Sequence, residues 1–396
     1  MRATFLPNAA TDVRPLAAAL LFGIVALLVA FDLKCLVLLV PSLARFGPHD
    51  AFLLWSFGRF ALTHPLAGLY DDAALHTFQS ALRGEAMQGG DATYYYYPPP
   101  FAFLLAPVSL LPSAPAYLVF QSVSFAAFAA ATFSGSHGRL RVAMLAILPA
   151  TWVALVSGQN GFLSAALLIG GMRLSGIRPV LGGILLGLLA YKPQLGLLVP
   201  VALAASGRWR AIAAAGLALF VLVAATGLIA GWDSWTAWLG SMAAHTHTFA
   251  AGRATDYMVP TVAAMLRQIG LPPSWAVTGQ LATSIMAAIC VWSRYRRRPD
   301  DDALAVLCIA AFLATPYAML YDLPMYAGAI VVAVCRRVGT GSSFTGGDAM
   351  LLGAAALLPA ALTVPSPVPV GAPVLAVQLL YLISRPRMLH LQSRPG

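Results

Sequence analysis

Apolar residues fall along this chain in runs of roughly 18 to 25, the length of helix needed to cross about 30 Å of hydrocarbon. Short polar breaks separate the runs, many of them holding arginine, proline or glycine. The runs predict spans at 16–40, 211–230 and 274–293, and a short broken helix followed by a full one over 98–133. Paired shorter pieces are predicted at 142–156 with 161–172, at 179–205, at 303–335, and at 349–363 with 372–384. The total is about 12 transmembrane or broken helices, an all-α polytopic membrane protein in one domain, 1–396. No internal repeat supports an inverted-repeat transporter. Arg14 precedes the first run without a small-residue cleavage site after it, so this run is expected to be a retained helix and not a removed signal peptide.

One stretch departs from the pattern. Residues 41–97 are polar and aromatic, nearly balanced in charge, and too long for a turn. They predict a first outer loop with helices at 51–62 and 72–83, broken by His64-Pro65 and Gly68. The loop closes on Tyr94-Tyr95-Tyr96-Tyr97-Pro98-Pro99-Pro100, where consecutive prolines fix an extended backbone.

Composition agrees with the membrane reading: 60% of the 396 residues are hydrophobic, 10% are charged, and mean hydropathy is +0.79. The net charge of +10 does not imply a nucleic-acid partner, because the arginines lie in small clusters between apolar runs. They act as topology signals, marking Arg139/Arg141, Arg173/Arg178, Arg208/Arg210, Arg294–Arg298, Arg336/Arg337 and Arg385/Arg387 as cytoplasmic. Cys35, Cys290, Cys308 and Cys335 have no metal-ligand spacing, and carboxylates are sparse around Asp50, so neither a disulfide framework nor a bound metal is expected.

Arginine bookkeeping alone sends the remaining polar breaks to the outer face. These are the Asp50 loop, the tyrosine and proline cluster, Gly158–Gly161, Tyr191–Gln194, an outer loop at 231–258 carrying His245, His247, Arg253 and Asp256, and Tyr317–Asp322. Breaks within apolar spans are tolerated where they are buried in protein or line a cavity. Together they predict an outward-facing pocket at the membrane boundary. Each residue also has a plainer use: Asp50 as a helix N-cap, Lys192 as a snorkelling interfacial lysine, the tyrosines as an aromatic belt. His245 and His247, two residues apart, do not share a helical face and make a poor metal pair.

Asp50, Leu69-Tyr70-Asp71, Tyr97-Pro98-Pro99, Gly158-Gln159-Asn160, Lys192-Pro193 and Tyr321-Asp322 occur in an order and rough spacing that resemble the bacterial glycosyltransferase family 87, over about residues 45–335. The resemblance implies a GT-C membrane fold and an inverting hexosyltransferase that needs no cofactor. Its substrate would be a polyprenyl-phosphate-linked sugar, most often mannose, and its acceptor a lipid or glycan at the outer face of a bacterial plasma membrane. It also implies that the catalytic aspartate lies in the first outer loop, which maps onto Asp50. His49, Tyr70, Tyr97, Gln159, Asn160, Lys192, His245, Arg253, Tyr317, Tyr321 and Asp322 are then the candidate substrate-binding residues. Two departures stand out: the family often has an aromatic residue directly after the aspartate, where Ala51 stands here, and a histidine near Tyr321-Asp322, where Tyr317 stands. A transporter or flippase, or a noncatalytic membrane protein of envelope assembly, are the competing readings of the same pattern.

Overall fold

Proline and glycine set where the helices begin and bend in the computed structural model, which describes residues 14–84, 94–133, 138–250 and 255–385, without the side chains of 14–21 and 245–250. All regular structure among the described residues is helical. The first helix, α1 (Arg14–Leu43), is followed by the helices α2 (His49–Thr63) and α3 (Asp72–Arg83), with a 3-10 turn at Leu66–Tyr70 between them. This is the predicted loop, broken at His64-Pro65 as expected. Asp71 caps α3, its Oδ1 accepting from the backbone N–H of Ala73 and Ala74 at 3.0 and 3.1 Å, and left-handed Gly84 ends it.

The short-then-long figure at 98–133 is α4 (Pro100–Val108) and α5 (Ser113–Thr132). Then come α6 (Gly138–Ile147), α7 (Pro149–Ser157), α8 (Gly161–Leu174), α9 (Pro179–Leu188) and α10 (Val199–Ala205), with 3-10 turns at Leu189–Tyr191 and Pro193–Gly196. The second half comprises α11 (Trp209–Ala230), α12 (Asp233–Ala250), α13 (Val262–Gln268), α14 (Pro273–Arg297), α15 (Asp301–Ala314), α16 (Pro324–Gly339), α17 (Gly346–Ala361) and α18 (Gly371–Ser384). The outer loop expected at 231–258 is thus mostly the helix α12, which opens at Asp233 immediately after Gly231-Trp232.

Among the described residues four helices have the length and composition to cross a membrane: Phe22–Leu43 within α1, then α5, α11 and α14. The pair α6 and α7, bent by 56° at Leu148-Pro149, makes a fifth if it is one span. The other apolar helices are short. Fourteen residues of α8 rise only about 21 Å, less than the roughly 30 Å hydrocarbon core. Such pieces are stable because protein surrounds them: α15 and most of α16 are buried on every side, as expected of helices that are apolar all round. Close approach of α9 to α11 uses Gly183 and Gly187, where a Cβ would overlap Ala211, Ala214, Ala215 and Ala218. One hydrophobic cluster runs from Phe52 in α2 to Leu382 in α18.

The arginine-bearing helix ends meet in a layer of their own. Arg208 donates to Met172 O and Ser175 Oγ at 2.9 and 2.8 Å, Arg294 pairs with Asp300 at 2.6 Å, Arg336 with Asp301 at 3.2 Å, and Arg337 with Asp302 at 2.7 Å. Arg337 and Arg385 also converge on Asp348. Because α8 and α16 each start among the polar breaks and end in this layer, the two regions are held about 21–24 Å apart.

Candidate active site

Everything at the site is assembled around four residues, Gly158-Gln159-Asn160-Gly161, between α7 and α8. The outer two allow close backbone approach. Gly158 has a φ of +73° and ends α7; a Cβ there would lie 2.6 Å from the Cβ of Ala51 and 2.8 Å from its backbone nitrogen. Gly161 lies against the turn on the other side, where a Cβ would stand 1.9 Å from the carbonyl oxygen of Tyr321. The break is therefore wedged between the start of α2 and the turn before α16. We expect Gly158→Ala, which adds left-handed strain to a steric overlap, to destabilise the fold by roughly 2–4 kcal/mol. A detergent-solubilised thermal unfolding series would measure it; an unchanged midpoint would contradict the wedge.

The inner two residues carry polar side chains into a continuous hydrogen-bonded chain. Gln159 Nε2 donates to Asp50 Oδ2 at 3.0 Å. The Tyr97 hydroxyl donates to Gln159 Oε1 at 3.1 Å and accepts from Asn160 Nδ2 at 2.8 Å. Lys192 Nζ donates to Asn160 Oδ1 at 2.8 Å and to Asp322 Oδ1 at 2.5 Å. Asp50, Tyr97, Gln159, Asn160, Lys192 and Asp322, drawn from five separate stretches of sequence, thus form one network. Lys192 is also 5.0 Å from the Tyr321 ring centroid, so its three N–H directions are taken by an amide oxygen, a carboxylate and an aromatic face.

Proline places three of these groups. Pro48 occupies the N-cap of α2, leaving Asp50 in the first helical turn with no cap bond to make. The N-cap use of Asp50 therefore does not hold, and its carboxylate reaches across to Gln159 instead. Lys192 precedes Pro193, which disfavours helix and turns the chain out of the 3-10 segment at Leu189–Tyr191. Lys192 is only 4% exposed, so it does not snorkel to an interface; it is half of a buried ion pair with Asp322, 1% exposed. Asp322 lies two residues before Pro324 and fixes its own turn by accepting from the Met319 N–H at 3.2 Å.

A second set of contacts holds the network. The Tyr70 hydroxyl donates to the backbone oxygen of Tyr97 at 2.9 Å, and Gln121 Nε2 donates to that of Gln159 at 2.8 Å. Tyr191 shares a hydrogen bond with Ser164 at 2.7 Å and stacks on Phe101, centroids 4.6 Å apart. The sequence reading did not select Gln121, although an amide alone in the apolar face of a predicted span is the signal that such a group has a buried partner. Ala51, at the position where the family often has an aromatic residue, packs under Gly158, while the neighbouring Phe52 is fully buried.

Opposing forces act on Asp50. Burial raises its carboxyl above the usual carboxylate range; the Gln159 amide, His49 and Lys192 pull in the other direction without cancelling it. His49 is exposed, and Tyr317 and Tyr321 are half-buried near Tyr97. The side chain of His245 and the whole of Arg253 lie outside the described residues. Among the described residues no group of three or more histidine, cysteine or carboxylate side chains is placed to hold a metal.

The sequence model of glycosyltransferase family 87 matches residues 95–316, more than half of the chain. The chain belongs to glycosyltransferase family 87. It is a membrane glycosyltransferase by that membership, and its long apolar helices agree. No curated protein and no solved structure matches it. The family 87 segment contains Tyr97, Gln159, Asn160 and Lys192, whereas His49, Asp50, Tyr70, Tyr317, Tyr321 and Asp322 lie outside it. Hydrogen bonds join Asp50 and Asp322 to the matched segment at opposite ends of the same network.

Proposed function

We propose that this enzyme transfers a hexose, mannose foremost, from a polyprenyl phosphate carrier to a hydroxyl of a lipid or glycan, with inversion and with Asp50 as general base. The reading is supported above all by the setting of Asp50: one carboxylate oxygen is fixed by Gln159, the side chain is partly open to solvent, and among the described residues nothing in the protein bonds the other oxygen. A carboxylate oriented in this way can take the proton of an acceptor hydroxyl as the glycosidic bond forms. Its raised proton affinity brings it closer to the working pH and makes it a better base.

The rest follows from charge and position. On the arginine rule the Asp50 end faces the outside, the periplasm of a bacterial cell, where a lipid-linked donor replaces the cytoplasmic nucleotide sugar. A single GT-C-like domain would present the polar breaks there. Lys192 and Asp322 neutralise each other, so the network as a whole carries the charge of Asp50. The donor phosphate would then draw on His49 and the hydroxyls of Tyr317 and Tyr321, with His245 and Arg253 kept as candidate cations from the sequence alone. Lys192 would act mainly by holding Asn160 and through it Tyr97 and Gln159. No cofactor enters this scheme.

Purified protein incubated with a radiolabelled polyprenyl phosphate hexose should move label into an acceptor lipid; persistent failure with a panel of such donors would reject the donor class. A pH profile tests the base more finely. Because the ionised form of Asp50 is the active one, turnover should fall as pH drops through a carboxyl titration lying above the ordinary range. Gln159→Leu removes a hydrogen bond that favours the ionised form, so the acid limb should move to higher pH; an unmoved limb would mean that another group titrates.

A further inference from the structure

At the end of α8 away from Asn160, a cavity of about 790 Å³ opens between α5, α8, α9 and the α14–α15 connection. This is within the roughly 300–1,000 Å³ of ordinary ligand sites. Its walls are apolar, with Ala130, Leu167, Leu185 and Leu304 among them, and it extends along α8 from Leu163 to Arg173. Those ten residue steps amount to about 15 Å. The cationic groups are gathered at one end only.

The charges there do not all find partners. Asp300 is paired with Arg294 and Arg298, and Asp301 with Arg336. Arg173 and Arg208, which both line the cavity, bond neutral oxygens: Arg173 donates to Ala131 O, and Arg208 to Met172 O, Ser175 Oγ and Pro299 O. A guanidinium has five N–H donors. These bonds engage one on Arg173 and three on Arg208; no carboxylate among the described residues forms an ion pair with either, although Asp301, paired with Arg336, is near enough to act on Arg173.

Two guanidiniums with donors to spare, at the mouth of an elongated apolar cavity, are complementary to an anion carrying a hydrocarbon chain. The same mouth belongs to the arginine layer, the end assigned to the cytoplasm, where anionic lipids collect and basic pockets between helices take their headgroups. We propose that this cavity binds one anionic phospholipid of the cytoplasmic leaflet, its phosphate on Arg173 and Arg208 and an acyl chain along α8 toward Leu163. The site is separate from the Asp50 network and does not depend on the reaction assigned to it. Through α8, whose first residue abuts the Tyr321 carbonyl, an occupied cavity would brace the Gln159-Asn160 break from behind.

Native mass spectrometry of the purified protein, delipidated and then offered equal phosphatidylglycerol and phosphatidylcholine of the same chains, tests this. Phosphatidylglycerol should be retained in preference, and millimolar inorganic phosphate should not displace it. Arg208→Gln should weaken retention about fivefold, and the double variant with Arg173→Gln about 25-fold, at roughly the usual contribution per basic residue. Leu167→Trp, which keeps both arginines and fills the wall, should also lower retention. Asp50→Asn should leave it unchanged. Equal retention of the two lipids by the wild type, displacement by inorganic phosphate, or full retention by a folded double variant would each overturn the proposal. The wild-type comparison decides the matter even if the arginine variants do not fold.

Discussion

Asp50→Asn should leave the protein folded and slow hexose transfer by about 10²–10⁴-fold, the contribution typical of a positioned general base. The substitution is nearly isosteric and keeps a carbonyl oxygen to accept from Gln159 Nε2, so the wedge at Gly158 and the start of α2 should be preserved. Removing a carboxylate whose ionised form is opposed by burial should not destabilise the fold either. Turnover and thermal unfolding measured on the same preparation separate these effects. Wild-type turnover in the variant would remove the base assignment, and loss of both activity and folded protein would make Asp50 a structural group.

A larger effect on stability is expected at Lys192. Lys192→Met removes the cation from a buried ion pair and leaves Asp322, 1% exposed, without its partner. Breaking such a pair from one side typically costs about 3–5 kcal/mol, a large share of the roughly 5–15 kcal/mol by which folded proteins are stable. The double variant with Asp322→Asn removes the stranded charge and should recover much of the loss. A lysine whose main task was the donor phosphate would behave differently: Lys192→Met would stay folded and raise the donor requirement more than the acceptor requirement. Unfolding midpoints for the single and double variants, read beside donor and acceptor titrations, distinguish the two. A single variant as stable as the wild type would contradict the structural role.

These two residues also show what the sequence did and did not convey. The helical loop at 41–97, the short-then-long helices after it and the polar breaks were legible because proline and glycine punctuate apolar runs whose period and length are physically constrained. Hence α2, α3, α4, α5, α11, α14 and the pairs near 303–335 and 349–384 lie close to where the pattern put them. That Asp50, Tyr97, Gln159, Asn160, Lys192 and Asp322 share one neighbourhood could be inferred from the arginine distribution. Their bonding could not. Whether an ammonium faces phosphate or a carboxylate 130 residues away depends on how α8, the 3-10 turns and α16 pack, and no local pattern encodes that.

The same limit explains the other differences. Residues 233–250 read as a loop because tryptophan, histidine and threonine dilute their hydropathy, yet they form α12. Of the roughly 12 transmembrane or broken helices expected, four among the described residues, or five with the bent pair, are long and apolar enough to cross on their own. Short apolar pieces such as α8 and α15 owe their stability to tertiary burial, which sequence hydropathy cannot tell from lipid exposure. Gln121 was overlooked for a related reason, since its partner is a backbone oxygen 38 residues away.

In the proposed reaction the Asp50 carboxylate removes a proton and does not itself attack the sugar. The anomeric configuration of the first product decides this most directly, read by NMR from transfer by purified wild-type protein out of a polyprenyl phosphate hexose of defined anomeric configuration. A single displacement with Asp50 as base predicts inversion at the anomeric carbon. Retention, the signature of two successive displacements through a covalent sugar on a carboxylate, would contradict it.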